Sequence, residues 1–523
     1  MKNRTVTIES GELEGIFGWD PRILVFKGVP YAAPPVGDLR WKAPQPAKSW
    51  EGVRRADQYG PMACQPQPGE NPEDFWTREL HPTATEFEMS EDCLYLNIFT
   101  PARNGDEKLP VFCYFHGGGY KGGYPYEVEF DWEHMARKGM VCVAITYRLG
   151  IMGFLAHPEL AAEQPGSPVG NYGVLDQLCA LKWVKRNIAA FGGNPEQITI
   201  AGQSAGSGSV QCQLTSPMAR GIFAGAVIES GVTIPFCDVE DPLSPIPLAK
   251  ALDNGAEFFE KAKIGSLEEA RRISARELID RAEKIFGRTI RFQPVVDGIY
   301  LKETFFEAMK HGNWPDIPIM TGYNVGELEM FRHYVTGLPE TVAELPEFAD
   351  KYGEYKEKFL SLCTAATDEE LREFMQGDAW NNMKVSARIC AEILSGMGRK
   401  AYLYQFDADI PGEDHPGSFH GAELWFAYDS LARSWRPFTG KHYDLARQVS
   451  SYWANFIKTG NPNGNDNFGN ALPGWTAYRA ESRKMMCFEE TAGERDVELD
   501  GAMELRWKAS LITPRESGMS IST

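Results

Sequence analysis

The sequence predicts an α/β protein: a large, mostly parallel central sheet flanked by helices on both faces, with a small β region at its N-terminus. Three observations carry that reading. Leu109 to His116 and Met140 to Tyr147 are continuous apolar runs of strand length, as in strands buried on both faces. Helical stretches separate such runs, about Glu129 to Lys138 and Tyr172 to Phe191, the second with Val174, Leu175, Leu178, Leu181, Trp183 and Val184 at helical spacing. Gln197 to Leu214 then passes from a β-branched strand through Gly202-Gln203-Ser204-Ala205-Gly206 into a further helix. Strand and helix in alternation build a parallel sheet.

Taken in order, the chain from Ile23 alternates short apolar runs with Pro and Gly, which reads as strands and turns. Gln65 to Glu88 is a long Pro- and acid-rich loop containing Phe75 and Trp76, and Leu94 to Phe99 is a strand. Beyond the Ser204 turn, Phe223 to Ser230, Ile317 to Gly322 and Tyr402 to Phe406 read as strands. The segments 245–290 and 340–400 are charged and helical, as solvated helix faces are. The tail reads as a helix, a turn and a short strand at LPGWTAY. With no repeat and no low-complexity linker, residues 1–523 are expected to form one domain, with helical insertions at about 240–290 and 335–400 bordering the site.

Composition narrows the function classes. A chain of 523 residues with 43% hydrophobic and 24% charged residues is an ordinary globular protein with ample core. Its net charge of −19 argues against nucleic acid and anionic membrane surfaces as partners, since both repel it. No apolar run approaches the roughly 20 residues that span a bilayer. MKNRTVTIESGELEG has no apolar leader core, so the expectation is a cytoplasmic protein if this N-terminus is native, and a secreted one if a leader has been removed. The 10 cysteines show no C-x-x-C pair. Cys113 and Cys142 fall inside strands as small hydrophobes, and a Cys64–Cys93 disulfide is left open.

The chemistry-bearing residues follow from the turns. A strand that bends sharply into a helix holds Ser204 on a strained backbone, and the flanking glycines let neighbouring chains approach. Leu109 to His116 empties into Gly117-Gly118-Gly119, where backbone N–H groups can converge on an oxyanion. A serine at neutral pH needs a base, and the base needs a carboxylate to fix its tautomer. In proteins with this elbow the nucleophile precedes the acid and the histidine comes last, which removes His81, His116, His134 and His157. His420 lies in a small-residue, aromatic setting, whereas His415 sits among acidic residues and reads as solvated. Glu327 and Glu329 both follow the Ile317 to Gly322 strand, and spacing alone does not separate them. His420-Gly421-Ala422-Glu423 has an H-x-x-E look, but no H-E-x-x-H helix accompanies it, so neither metal nor cofactor is expected.

At this point a resemblance is plain. FKGVPYAAPPVGDLRWKAPQP, SEDCLYLNIFTP, FHGGGY, TYRLGIMGFL, GNYGVLDQLCALKWVKRNIAAFGGNPEQITIAGQSAGS, FAGAVIESG, FHGAEL and WANFIKTGNPN occur in order over nearly the whole chain. In these marks the sequence resembles the type-B carboxylesterases, which include para-nitrobenzyl esterases, liver carboxylesterases and cholinesterases. The resemblance implies the α/β-hydrolase fold and serine carboxylic-ester hydrolysis through an acyl-enzyme. It implies Ser204 as nucleophile and His420 as base. The family's acid motif G-x-N-x-D-E-G stands here as Gly322-Tyr323-Asn324-Val325-Gly326-Glu327-Leu328, which makes Glu327 the acid. Gly326 and Leu328 depart from that pattern and leave Glu329 as the alternative. The N–H groups of Gly118, Gly119 and Ala205 are the implied oxyanion donors, and Ser230 resembles a serine that supports the acid.

Some relatives, such as the neuroligins, keep the fold as non-catalytic adhesion modules. All three triad residue types and the glycine loop are present here, which favours the enzyme. A cholinesterase-like choline site needs a tryptophan where Thr83 stands, so choline esters are not expected. Tyr120, Tyr124, Phe75, Trp76, Phe331 and Trp425 are candidates to line an aromatic gorge suited to apolar or aryl esters, hydroxycinnamate-type esters among them. The expected partner is a small-molecule ester, and the chain is expected to act as a monomer or dimer.

Overall fold

The computed structural model describes residues 4–238, 241–287, 289–327, 338–375, 377, 380–497 and 501–512. An 11-stranded sheet organises the molecule. Its strands, in chain order, are β1 (Ile16–Phe17), β2 (Leu24–Pro30), β3 (Tyr95–Thr100), β4 (Leu109–Phe115), β5 (Val141–Ile145), β6 (Gly193–Gln203), β7 (Gly225–Glu229), β8 (Ile319–Asn324), β9 (Ala401–Phe406), β10 (Lys484–Phe488) and β11 (Ala492–Asp496). The spatial order is β11-β10-β9-β8-β7-β6-β4-β5-β3-β2-β1. All neighbours from β10 through to β5 run parallel, while β3, β2 and β1 at one edge and β11 at the other are antiparallel. Thr5–Ile8, Gly11–Glu14 and Val53–Arg55 form a separate small sheet near the N-terminus.

The continuous apolar strands are explained by the two cores. Along β4, Val111, Cys113 and Phe115 enter the core on one face, and Phe112 and Tyr114 enter the core on the other. A strand with cores above and below has no solvent face, so its alternation disappears. Helix α1 (Tyr172–Asn187) packs into the first core and helix α5 (Gly440–Thr459) into the second. Between them in chain order come α2 (Ala205–Thr215), α3 (Asn382–Gly396) and α4 (Ala422–Ala427).

Two expectations need correction. LPGWTAY forms no strand; the strands of the tail are β10 and β11, an antiparallel pair at the sheet edge. Glu494, Arg495 and Asp496 charge β11, as suits an exposed edge, while β10 contributes only a short buried run, Met485 to Phe488. The helix expected from Glu129 begins instead at Trp132, because Asp131 caps it by accepting the His134 N–H at 3.0 Å. Glu127 and Glu129 therefore lie in a loop. No helix among the described residues is long and apolar enough to cross a membrane.

Candidate active site

Strand β6 delivers Ser204 into the turn and α2 leaves from it. Ser204 has φ 57° and ψ −125°, and its N–H donates to the Glu229 carbonyl at 2.9 Å. Such a conformation is strained for a residue with a side chain and persists only when its surroundings hold it. The glycines have a measurable reason. A Cβ on Gly202 would lie 2.3 Å from the Gly206 carbonyl oxygen, and one on Gly206 would lie 2.2 Å from that of Phe115.

Beyond β4, Gly117, Gly118 and Gly119 face Ser204 across a cavity of about 650 Å³. Gly118 has φ +102°, and its carbonyl accepts the N–H groups of Lys121 and Gly122 at 3.0 and 2.9 Å, which closes a tight turn. Its own N–H and that of Gly119 make no hydrogen bond among the described residues. Ala205 is the first residue of α2, so its N–H has no acceptor within the helix.

His420 and Glu327 line the same cavity and are joined by a hydrogen bond from Nδ1 to Oε2. Both side chains are buried. Glu327 Oε1 accepts the Asn324 N–H at 2.9 Å, and Asn324 Nδ2 donates to the Phe419 carbonyl at 2.6 Å. Asn324, at the end of β8, thus ties the glutamate turn to the histidine loop. Gly326 stands where the family motif carries aspartate, and a Cβ there would meet the Ser418 carbonyl oxygen at 2.9 Å. The two loops come close enough that only glycine fits without movement.

Two residues at this site take parts that the sequence did not assign to them. Glu423 is fully buried on α4; it accepts from Asn324 Nδ2 and from Ser230 Oγ, the latter at 3.3 Å. Ser230 therefore addresses Glu423 and not Glu327 directly. Burial first, then the neighbouring Glu327 carboxylate, push Glu423 up to about 7. The second is Gln203, whose amide nitrogen lies 3.1 Å from His420 Nε2. Burial pulls the His420 pKa down, but the carboxylates of Glu327 and Glu423 outweigh it and raise the ring above its ordinary value. Glu423 was visible as the glutamate of the H-x-x-E look and within FHGAEL, neither of which signalled its support of Asn324, and nothing in sequence signalled the Gln203 contact.

Of the six aromatic candidates, Trp76 lines the cavity, edge-on to His420 at 6.4 Å between ring centres. Tyr120 does not: its backbone turns at φ 58° and its hydroxyl donates to the Leu243 carbonyl at 3.3 Å within the core. Tyr124 packs against His81, Phe87 and Tyr126, and Trp425 is buried in the second core. Phe75 stands behind the wall, its edge on Phe419. Phe331 and Glu329 lie outside the described residues. Arg436 closes this side of the site. Its buried guanidinium bonds Glu79 at 2.7 and 2.9 Å and Asp414 at 3.0 Å, and it lies over the rings of Phe75 and Phe419.

Comparison with known proteins bears on what this arrangement is for. A model described as the Carboxylesterase family matches residues 2–501. The chain is 32% identical to a fumonisin B1 esterase of Sphingopyxis macrogoltabida over 87% of its own length and 82% of the relative's. It is 31% identical to the para-nitrobenzyl esterase of Bacillus subtilis (strain 168), over 97% and 99%. A solved structure of a PNB esterase superposes with a TM-score of 0.76 at 28% identity, covering 97% of this chain and all of that one.

Proposed function

The chain belongs to the carboxylesterase family and is a carboxylic ester hydrolase, and from that premise we propose that Ser204, His420 and Glu327 carry the reaction. The observation behind the proposal is convergence: the elbow serine, the glycine loop and the histidine–glutamate pair come from distant parts of the chain to one cavity. Ser204 Oγ attacks the ester carbonyl carbon while His420 Nε2 takes its proton. Glu327 keeps the ring's other nitrogen protonated and stabilises the imidazolium. The N–H groups of Gly118, Gly119 and Ala205 receive the oxyanion, at a turn where the helix N-terminus also favours negative charge. His420 then protonates the leaving alcohol, and water repeats the sequence on the acyl-enzyme.

Apolar and aryl esters are the proposed substrate class, hydroxycinnamate-type esters among them. Trp76, Phe130, Leu243, Ile290 and Leu424 on the cavity walls support that reading. The two helical insertions belong to the same proposal, as parts of one domain that border the cavity through Glu283 and Met383. All 10 cysteines are unpaired, which supports a reducing compartment such as the cytoplasm. A monomer or dimer is proposed, to be read by light scattering. The function itself is tested by organophosphate labelling, with the modified peptide identified by mass spectrometry, beside a panel of p-nitrophenyl and aryl esters of varied acyl length. Label on Ser204 with parallel loss of turnover supports the proposal; full turnover after labelling, or label elsewhere, rejects it.

A further inference from the structure

Each N–H donor of the glycine loop is one end of a peptide whose other end is tied. The described peptide bonds are all trans, so a carbonyl and the N–H that follows it point in opposite directions. The Gly118 carbonyl is held by the N–H groups of Lys121 and Gly122, which fixes the Gly119 N–H through backbone contacts alone. The Gly117 carbonyl, which fixes the Gly118 N–H, has no backbone donor among the described residues. Its partner is a side chain: His116 Nδ1 lies 3.0 Å from it.

His116 is fully buried and is itself held by Tyr147. The two rings stack at 4.5 Å between centres, and the Tyr147 hydroxyl donates to the His116 carbonyl at 2.7 Å. Gly123 packs against the contact: a Cβ there would stand 2.6 Å from the Gly117 oxygen and 2.7 Å from His116 Nδ1. Gln65 keeps Gly123 in place, its amide accepting the Gly123 N–H at 2.7 Å and donating to the Gly123 carbonyl at 3.1 Å. A carbonyl can only accept, so the His116 contact requires the hydrogen on Nδ1. Nε2, buried with no partner among the described residues, is then the bare nitrogen. Burial pulls the His116 ring down to about 4, so it stays neutral where His420 titrates.

We propose that His116 is a positioning residue for ester hydrolysis, whose Nδ1–H holds the Gly117 carbonyl and so aims the Gly118 N–H at the oxyanion. The inference rests on the reading of Ser204 as the nucleophile and of the glycine loop as the oxyanion hole. His116 touches no reacting atom. Without its hydrogen bond the Gly117–Gly118 peptide loses what sets its plane, and a misdirected donor no longer tightens as charge develops. The loss falls on the transition state and spares substrate binding.

The test compares the unaltered full chain with His116→Phe, which keeps a ring on Tyr147 and removes the donor. The probes are p-nitrophenyl butyrate, 1,1,1-trifluoro-4-phenylbutan-2-one and its unfluorinated counterpart, 4-phenylbutan-2-one. Ser204 Oγ adds to the carbonyl carbon of the fluorinated ketone, the Ser204 proton passes to His420, and the carbonyl oxygen becomes the oxyanion. The plain ketone binds as a ketone. In His116→Phe, kcat is expected to fall about 100-fold with KM little changed, and the Ki of the fluorinated ketone to rise by a similar factor. The Ki of the plain ketone and the acidic limb of the pH profile should stay where they are, because the cavity and His420 are untouched. Inhibition constants read only folded sites, so partial unfolding does not imitate this result. Should His116→Phe fail to fold, the isosteric pair His116→Asn and His116→Leu replaces it. Asparagine carries a donor nitrogen at the place of Nδ1, and its variant should bind the fluorinated ketone about tenfold or more tighter than the leucine variant. An unchanged Ki for the fluorinated ketone in His116→Phe, an equal rise for both ketones, or equal Ki values in the isosteric pair overturns the proposal. Each of those results leaves the Ser204 reading standing. Ester turnover that survives Ser204→Ala removes that reading, and this one with it.

Discussion

The side-chain amide nitrogen of Gln203 sits 3.1 Å from His420 Nε2 and 3.4 Å from Nδ1, the ring nitrogen that meets Glu327. An amide N–H close to both ring nitrogens favours the neutral imidazole, the form a general base requires, over the imidazolium. Gln203→Glu places a carboxylate at the same spot, where it favours the imidazolium. The acidic limb of the kcat/KM profile is expected to move up by about one pH unit in that variant. An unmoved limb means that the contact is absent in the working enzyme.

The unaltered enzyme should itself lose activity as pH falls through a value above the ordinary 6.5 of histidine, because the carboxylates of Glu327 and Glu423 outweigh burial and raise His420. The sign is fixed by the role: a base works only when neutral, so activity is present above the raised pKa and lost below it. Glu423→Gln removes one of those carboxylates and should shift the limb to lower pH. A shift upward contradicts this account, and a profile for a neutral aryl ester measures it.

Ser204→Ala should lower kcat by roughly 10⁶, as loss of a triad nucleophile does elsewhere. Its fold should persist, because alanine adds no atom to the elbow. Ordinary turnover by the purified, folded variant rejects Ser204 as nucleophile.

Glu327→Gln should be severe, on the order of 10⁴ in kcat, because an amide cannot stabilise the imidazolium and permits the wrong ring tautomer. Glu329→Gln should be mild. Steady-state kinetics of the two variants side by side decide between them, and the reverse pattern moves the acid to Glu329.

Gly206→Ala tests the elbow without touching a reacting atom. The added methyl would stand 2.2 Å from the Phe115 carbonyl oxygen on the neighbouring strand, so α2 or β4 must move. Destabilisation of about 3 kcal/mol or more is expected, with loss of activity in whatever remains folded. Denaturant unfolding followed by fluorescence gives the first quantity. A variant of unchanged stability and rate shows that the packing at this turn is slack.

Much of this architecture was legible in the residues because its strongest signals are local. Leu109 to Phe115 reads as a doubly buried strand from composition alone, and the elbow announces itself by two glycines around a serine. Strand β10 was hidden because its buried run, Met485 to Phe488, is short, and β11 because an exposed edge tolerates charges such as Glu494 and Asp496. Tyr120 and Tyr124 look like cavity aromatics from their place after the glycines. A left-handed backbone at Tyr120 and a ring cluster around Tyr124 take them elsewhere. The contacts of Gln203 with His420 and of Asn324 with Glu423 join segments far apart in the chain. No spacing rule reaches them.

Arg436 binds Glu79 on the segment that carries Trp76 and Asp414 on the segment that carries His420. The cavity wall at Trp76 and the loop that carries His420 are thereby bolted to a common cation. Transplanting residues 65–88 from a relative in order to change selectivity would cut that bolt and loosen the histidine as well. For protein engineering, residues 65–88 and 407–436 form a single exchangeable cassette, to be swapped together or left alone.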